Sequence, residues 1–151
     1  GNQALLNVAV QEARLGAGNV TADRDRSELK IIHATYWVLA AERFAEIRDS
    51  EPGGMGHAGE METSVMLALH ADLVRTDCLE PDGEEQRCRF DHKDMLEPGK
   101  VGQFRLWNEW SKKGAIGDPT VASAEKGELF IEAAVDSIAE LVDEFKAGRI
   151  G

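Results

Sequence analysis

The chain has 151 residues, 42% hydrophobic content and a formal net charge of −11, enough for one domain, or a large piece of one, with a buried core. That acidic balance repels phosphate backbones, and the 17 Lys and Arg residues are scattered, which excludes nucleic acid as an expected partner. The two cysteines, Cys78 and Cys88, lie in a polar stretch, and no apolar run reaches membrane-span or signal-peptide length; the composition predicts a soluble, cytoplasmic protein with ordinary thiols and no membrane partner.

Asn2 is placed to cap a helix that starts at once, with Leu5, Val8, Ala9 and Glu12 on one face and Leu6, Val10 and Ala13 beside it. The run Gly16-Ala17-Gly18-Asn19 stops it. So abrupt a start predicts that residues ahead of Gly1 have been cut away or are encoded separately. Leu29 to Trp37 is a nearly continuous apolar and β-branched run, which predicts a strand buried on both faces of a mostly parallel sheet and hence an α/β fold. Helical spacing returns over Val38 to Arg48 through Leu39, Arg43, Phe44 and Ile47, and Asp49 to Gly59 is a glycine-rich loop.

A further helix is expected over Met61 to Val74 on the spacing of Val65, Leu67, Ala68, Leu69 and Leu73. The stretch 75–100 mixes acids, bases and both cysteines without periodicity, the pattern of an extended surface excursion that covers a site or a neighbour. The last helix follows from Phe130, Ala134, Ile138, Leu141 and Phe145, widened by Leu129, Ala133 and Val142, with Ser123 as its cap and Gly148 just beyond its end. The sequence contains no internal repeat or low-complexity segment.

Candidate chemistry is concentrated in Gly56-His57-Ala58-Gly59-Glu60-Met61-Glu62-Thr63-Ser64, where a histidine and two carboxylates stand among glycines that let backbone or ligand approach closely. On a helix, His57 and Glu60 would share one side as metal ligands or an acid/base pair. The plainer reading is a helix start that favours the acids Glu60 and Glu62, beside a loop histidine. Elsewhere, Trp107 and Trp110 read as packing for a helix or an oligomer contact, and His33 as a core histidine. His70 and His92 stand in exposed contexts, and Asp118 shapes a Gly-Asp-Pro turn.

Gly56 to Val74 (GHAGEMETSVMLALHADLV) resembles the HAG-x-x-ETS-x-ML segment of the creatininase, or creatinine amidohydrolase, family. Gly114 to Gly127 resembles that family's GxxGDPxxAxxEKG segment, Tyr36-Trp37 is a further agreement, and Gly1-Asn2 resembles the end of an NGHGGN signature. The resemblance implies a three-layer α/β/α fold with a mostly parallel sheet, of which residues 1–151 form the C-terminal part of a single domain. It implies two divalent metal ions (Zn, Mn or Fe) that activate a water to cleave a cyclic, formamide or peptide-like C–N amide bond. His57 matches the catalytic histidine, Glu62 would orient it or the substrate, and Gly56 and Glu60 would lie at the substrate. Trp37 is read as pocket wall or as core. The family's metal ligands lie upstream of Gly1, so no residue here is assigned as one. The partner implied is an N-terminal fragment or subunit of the same fold, within a homo- or hetero-oligomer. Gly53-Gly54 stand where creatininase itself has a Trp-Asp pair, so an amide other than creatinine is expected. The alternative is a non-catalytic binding or scaffold subunit that keeps the fold without the metal site.

Overall fold

The computed structural model describes residues 3–15, 30–83, 90 and 93–150. Two compact units are distinguished, one of residues 36–139 and one of residues 1–35 with 140–151. Asn2, the Gly16–Asn19 stop, Leu29, Cys88 and His92 lie outside the described residues.

In the larger unit, helices α2 (Tyr36–Leu39) and α3 (Ala41–Ile47) lead through a loop to strand β1 (Met55–His57) and helix α4 (Glu60–His70). The one-turn helix α5 (Trp107–Trp110) and strand β2 (Ile116–Gly117) precede the long helix α6 (Ala124–Lys146). Ser123 begins α6 as its composition predicts, the hydroxyl accepting from the Lys126 amide at 3.2 Å. Gly148, just past the end, adopts φ +70°.

The helical periods converge on one core. Ala40, Phe44, Met55, Met61, Phe130 and Ala133 are buried together, with Trp37, Ile47, Val65, Met95, Leu96 and Ala134 packed against them. Phe44 and Phe130 meet edge to face with ring centroids 4.9 Å apart. Each such Phe or Met removed from water contributes about 1.5–3 kcal/mol.

Gly127 lets α6 approach α4, since a Cβ there would stand 2.1 Å from the Ser64 carbonyl oxygen. Beside that contact the Ser64 hydroxyl accepts from the Ser123 amide at 3.2 Å. Glu60, with no exposed surface, accepts from the amides of Asp49 at 2.9 Å and Ser50 at 2.8 Å, and from Lys126 Nζ at 2.6 Å. Burial acts to raise the Glu60 carboxyl, but Lys126 and the hydrogen bonds from Ser50 and Asp49 hold it below its ordinary range. Burial likewise acts to lower Lys126, and Asp49 and Glu60 overcome it and hold the ammonium above its ordinary value.

Two expectations are corrected. The buried strand over 29–37 is not formed: the described residues 30–35 join no ladder, and Tyr36 opens a helix whose first bond is Ala40 N–H to the Tyr36 carbonyl at 3.0 Å. A β-branched run suits a strand, but a strand exists only where a neighbour pairs its N–H and C=O groups. For the same reason the mostly parallel sheet is absent among the described residues, where β1 and β2 form a two-stranded antiparallel ladder. The described residues of 75–100 lie mostly at the surface, and the stretch also makes internal contacts. The Asp82 and Gly117 backbones exchange hydrogen bonds of 3.1 and 2.9 Å, Met95 N–H donates to the Met55 carbonyl at 2.8 Å, and Asp94 is buried. Asp94 accepts from Arg48 at 2.7 Å, from the Gly53 amide at 2.5 Å and from the Leu96 amide at 2.9 Å. Burial acts to raise the Asp94 carboxyl, yet Arg48 and these amides hold it low. The periodicity-free segment thus clamps the loop that enters β1.

In the smaller unit, α1 (Gln3–Leu15) exposes Leu5, Leu6 and Val8, and Asn7 Oδ1 lies 2.6 Å from Nε2 of His33. Among the described residues of that unit, Arg149 pairs with Glu144.

Lys126→Met leaves the Glu60 carboxylate buried without its cation and should destabilise the chain by about 3–5 kcal/mol in urea unfolding; a loss below about 1 kcal/mol would show that the pair is not structural. Because Glu60 and Asp94 are depressed in the fold, their contribution is complete above about pH 4–5. It disappears as pH falls through their folded values. Lys126, raised in the fold, contributes fully below about pH 10 and loses that contribution as pH rises beyond it. Melting temperature should therefore fall on both sides of that range, and Asp94→Asn should flatten the acid limb.

Candidate functional site

His57 is the last residue of β1, and the chain must turn sharply after it to start α4 at Glu60. Ala58 makes that turn with φ +49°, a left-handed conformation that costs an L-residue about 1–2 kcal/mol. The first turn of α4 holds it there. The Ala58 amide donates to Glu62 Oε2 at 2.5 Å, and the Thr63 hydroxyl donates to the Ala58 carbonyl at 3.2 Å. The same Glu62 oxygen lies 3.7 Å from Nδ1 of His57. One carboxylate therefore holds the strained backbone and stands beside the imidazole that it presents.

His57 and Glu62 line a cavity of about 670 Å³. Its walls include Met61, Val65, Met66, Leu73 and Leu79, with Tyr36, Arg75, Cys78, Glu80 and Lys113 as the polar or chargeable members. Burial, and then the Glu62 carboxylate, push the Tyr36 hydroxyl above its usual range, so it stays protonated at neutral pH and can donate. Lys113 is ion-paired with Glu80 across the opposite wall. A cavity of this size with an apolar lining and few polar groups suits a small-molecule ligand.

Of the residues expected at the site, His57 and Glu62 come together. The other three have different places. Glu60 does not share a helix face with His57, which is on the strand; its carboxylate is turned inward to Asp49, Ser50 and Lys126. The cavity lining does not include Gly56, where a Cβ would stand 2.2 Å from the Ile116 carbonyl oxygen. The glycine admits the backbone of β2, not a ligand. Trp37 packs against the core, and its neighbour Tyr36 faces the cavity. Of the two readings of Trp37, wall or core, the structure has the core one, and the face that each of Tyr36 and Trp37 presents depends on a helical rather than extended backbone.

Asp118 shapes its turn as expected, accepting from the Thr120 amide at 2.9 Å and hydroxyl at 2.5 Å. Cys78 is a free, exposed thiol at the cavity edge. Trp110 lies between Lys93 and Arg105, at 4.4 and 4.6 Å from its ring centre. Trp107 meets the imidazole of His57. Arg75, Glu80 and Lys113 come from segments without a period, and no local pattern marked them, whereas Trp107 is marked in the sequence only as packing or an oligomer contact. Among the described residues, no three His, Cys, Asp or Glu side chains are grouped so as to hold a metal ion. These residues do not by themselves fit a metal centre. No helix among them is long and apolar enough to cross a membrane.

The family model for creatininase, described as creatinine amidohydrolase, matches residues 1–142, which include every residue of this site. The chain belongs to the creatininase family. It is 29% identical to creatinine amidohydrolase of Pseudomonas putida over 124 residues, which is 78% of this chain and 43% of that protein. Two solved structures share the fold: a creatininase mutant of Zn–Zn type (TM-score 0.60, 24% identity, 92% of this chain and 48% of that one) and creatininase with Mn (TM-score 0.59, 24% identity, 92% and 49%). The chain thus spans about half the length of the relatives it matches. Mixed helix and strand content is consistent with the α/β expectation.

The strain at Ala58 can be tested directly. Ala58→Gly should be neutral within about 1 kcal/mol, because relief of the positive φ offsets the extra freedom of glycine in the unfolded chain. Ala58→Val should destabilise by about 1–3 kcal/mol in denaturant titration; equal stabilities of the two variants would remove the claim of backbone strain.

Proposed function

We propose that this chain is the C-terminal part of a three-layer α/β/α creatininase-like domain and contributes the proton-delivering wall of a metal-dependent amidohydrolase. The observation that carries the reading is the His57–Glu62 couple at the lip of an apolar cavity. Amide hydrolysis needs a nucleophile and a proton for the departing nitrogen. In this reading two divalent ions, held by residues outside those described, supply an activated water. The Zn–Zn and Mn forms of related structures support that part of the proposal.

The work assigned to this chain is the proton. With Nδ1 of His57 facing Glu62, Nε2 is left to face a substrate and can carry the proton to be donated. Tyr36, protonated at neutral pH, can hold a carbonyl or amide oxygen by a hydrogen bond. The apolar lining suits a small amide, formamide or peptide-like substrate. Gly53-Gly54, where creatininase itself has Trp-Asp, argue against creatinine. An N-terminal fragment or subunit of the same fold would complete the sheet and the metal site, in a cytoplasmic oligomer.

His57→Ala should lower kcat of the complete enzyme by about 10²–10⁴-fold while bound Zn, Mn or Fe, counted by elemental analysis, is unchanged. Turnover that survives the substitution would sink the assigned role. Glu62→Gln should lower kcat less than His57→Ala, since the amide oxygen still accepts from Ala58 and keeps the turn that presents the imidazole. Absence of metal from the purified complete assembly would favour a non-catalytic scaffold.

A further inference from the structure

His57 is held by few contacts. Its side chain is 56% exposed, and the Glu62 oxygen at 3.7 Å lies beyond hydrogen-bond distance. A proton donor so placed can rotate about its ring torsion. The other ring contact in the structure is Trp107, whose indole meets the imidazole edge to face, centroids 4.9 Å apart and planes at 89°. That is the arrangement aromatic quadrupoles prefer, within their usual separation of about 4.5–7 Å.

Trp107 itself remains 51% exposed and lines no part of the cavity. Core packing therefore does not account for its position. Its helix, by contrast, is anchored. The Leu106 amide donates to Glu109 Oε2 at 2.7 Å, closing the first turn, and Trp110 lies between Lys93 and Arg105. Ser111 Oγ donates to Asp82 Oδ2 at 2.6 Å, and the Asp82 backbone is paired with Gly117 of β2. As β2 pairs with β1, Trp107 and His57 are carried by segments tied to the same ladder.

We propose that Trp107 is a positioning residue for His57: its indole fixes the imidazole so that Nδ1 stays on Glu62 and Nε2 on the substrate side. The indole sets the plane of the ring, and the Glu62 carboxylate stands beside its Nδ1 edge. The proposal rests on the reading of His57 as proton donor.

The test has a spectroscopic arm and a kinetic arm. In the complete assembly, without substrate, the two imidazole C–H proton resonances of His57 are identified by their loss in His57→Ala. Trp107→Leu, which keeps apolar bulk but has no ring current, should move both toward the values of an exposed histidine, with the amide spectrum otherwise retained. Trp107→Phe should keep them displaced. In the complete enzyme Trp107→Leu should lower kcat about ten- to a hundredfold, as a misaligned donor does, with KM within about twofold. Trp107→Phe should recover most of that loss. Imidazole resonances that do not move in Trp107→Leu overturn the proposal, as does a Trp107→Leu enzyme with unchanged kcat or a Trp107→Phe enzyme no better than it. If Trp107→Leu loses the native amide spectrum, Trp107→Phe decides: displaced resonances support the contact and undisplaced ones overturn it. A His57→Ala enzyme that still turns over removes the proton-donor reading and the catalytic half of this proposal with it; the spectroscopic arm, read without substrate, keeps that failure separate.

Discussion

The buried carboxylate of Glu60 joins three pieces of chain at the polar edge of the core that α3, α4 and α6 share. Its oxygens take the amides that end the α3 loop, at Asp49 and Ser50, and the ammonium of Lys126 from the start of α6. A carboxylate without exposed surface would be untenable unpaired, so those partners are obligatory. Once they are in place, the start of α4 and the start of α6 have to be neighbours. Gly127 then permits the approach to Ser64, and Lys126 also donates to the Val121 carbonyl at 2.7 Å, which holds the turn that follows β2.

Placement of His57 follows from that arrangement. Gly54 shows how tightly the pieces are joined, its carbonyl accepting from both Glu60 at 3.2 Å and Asp118 at 2.9 Å. The Arg48–Asp94 pair closes the other side of the same loop, with side-chain exposures of 9% and 0%, so this ion pair is also desolvated and satisfied by backbone amides. Between these two buried ionic clusters the chain has little freedom, and the strain of Ala58 can be maintained. The result is a histidine on a rigid base with an exposed ring, which is a useful combination for proton transfer to a ligand.

A motif dense in acids and glycines invites a chemical reading of every member. Here most of it is architecture. Glu60 is a structural anion, Gly56 gives room to a backbone, and Ser64 and Gly127 form a helix contact. Of its chargeable side chains, His57 and Glu62 line the cavity, with Ala58, Met61 and Thr63 beside them, and the other lining groups come from elsewhere in the chain. Membership of the creatininase family is carried by a match over nearly the whole chain, while that chain spans about half of its relatives.

Local rules were enough for several features. Period and capping located α6 from Ser123 to Gly148, the acids marked the start of α4, and the Gly-Asp-Pro turn followed from its residue types. Adjacency in sequence also brought His57 and Glu62 together, since a residue ending a strand and one in the next helical turn remain close. What the tertiary structure decided was everything that depends on a distant partner. Whether residues 30–35 become a strand depends on a neighbour's hydrogen-bonding groups, and whether Tyr36 or Trp37 faces the cavity depends on the backbone chosen as a result. Asp94 and Met95 gained structural roles through Arg48 and Met55, about 40 residues away in a segment whose sequence has no period. Trp107 met His57 because its helix is fixed to β2 through Ser111 and Asp82. A one-dimensional pattern records propensity and burial; it does not record which buried charge has which partner, and in this protein those pairings set the site.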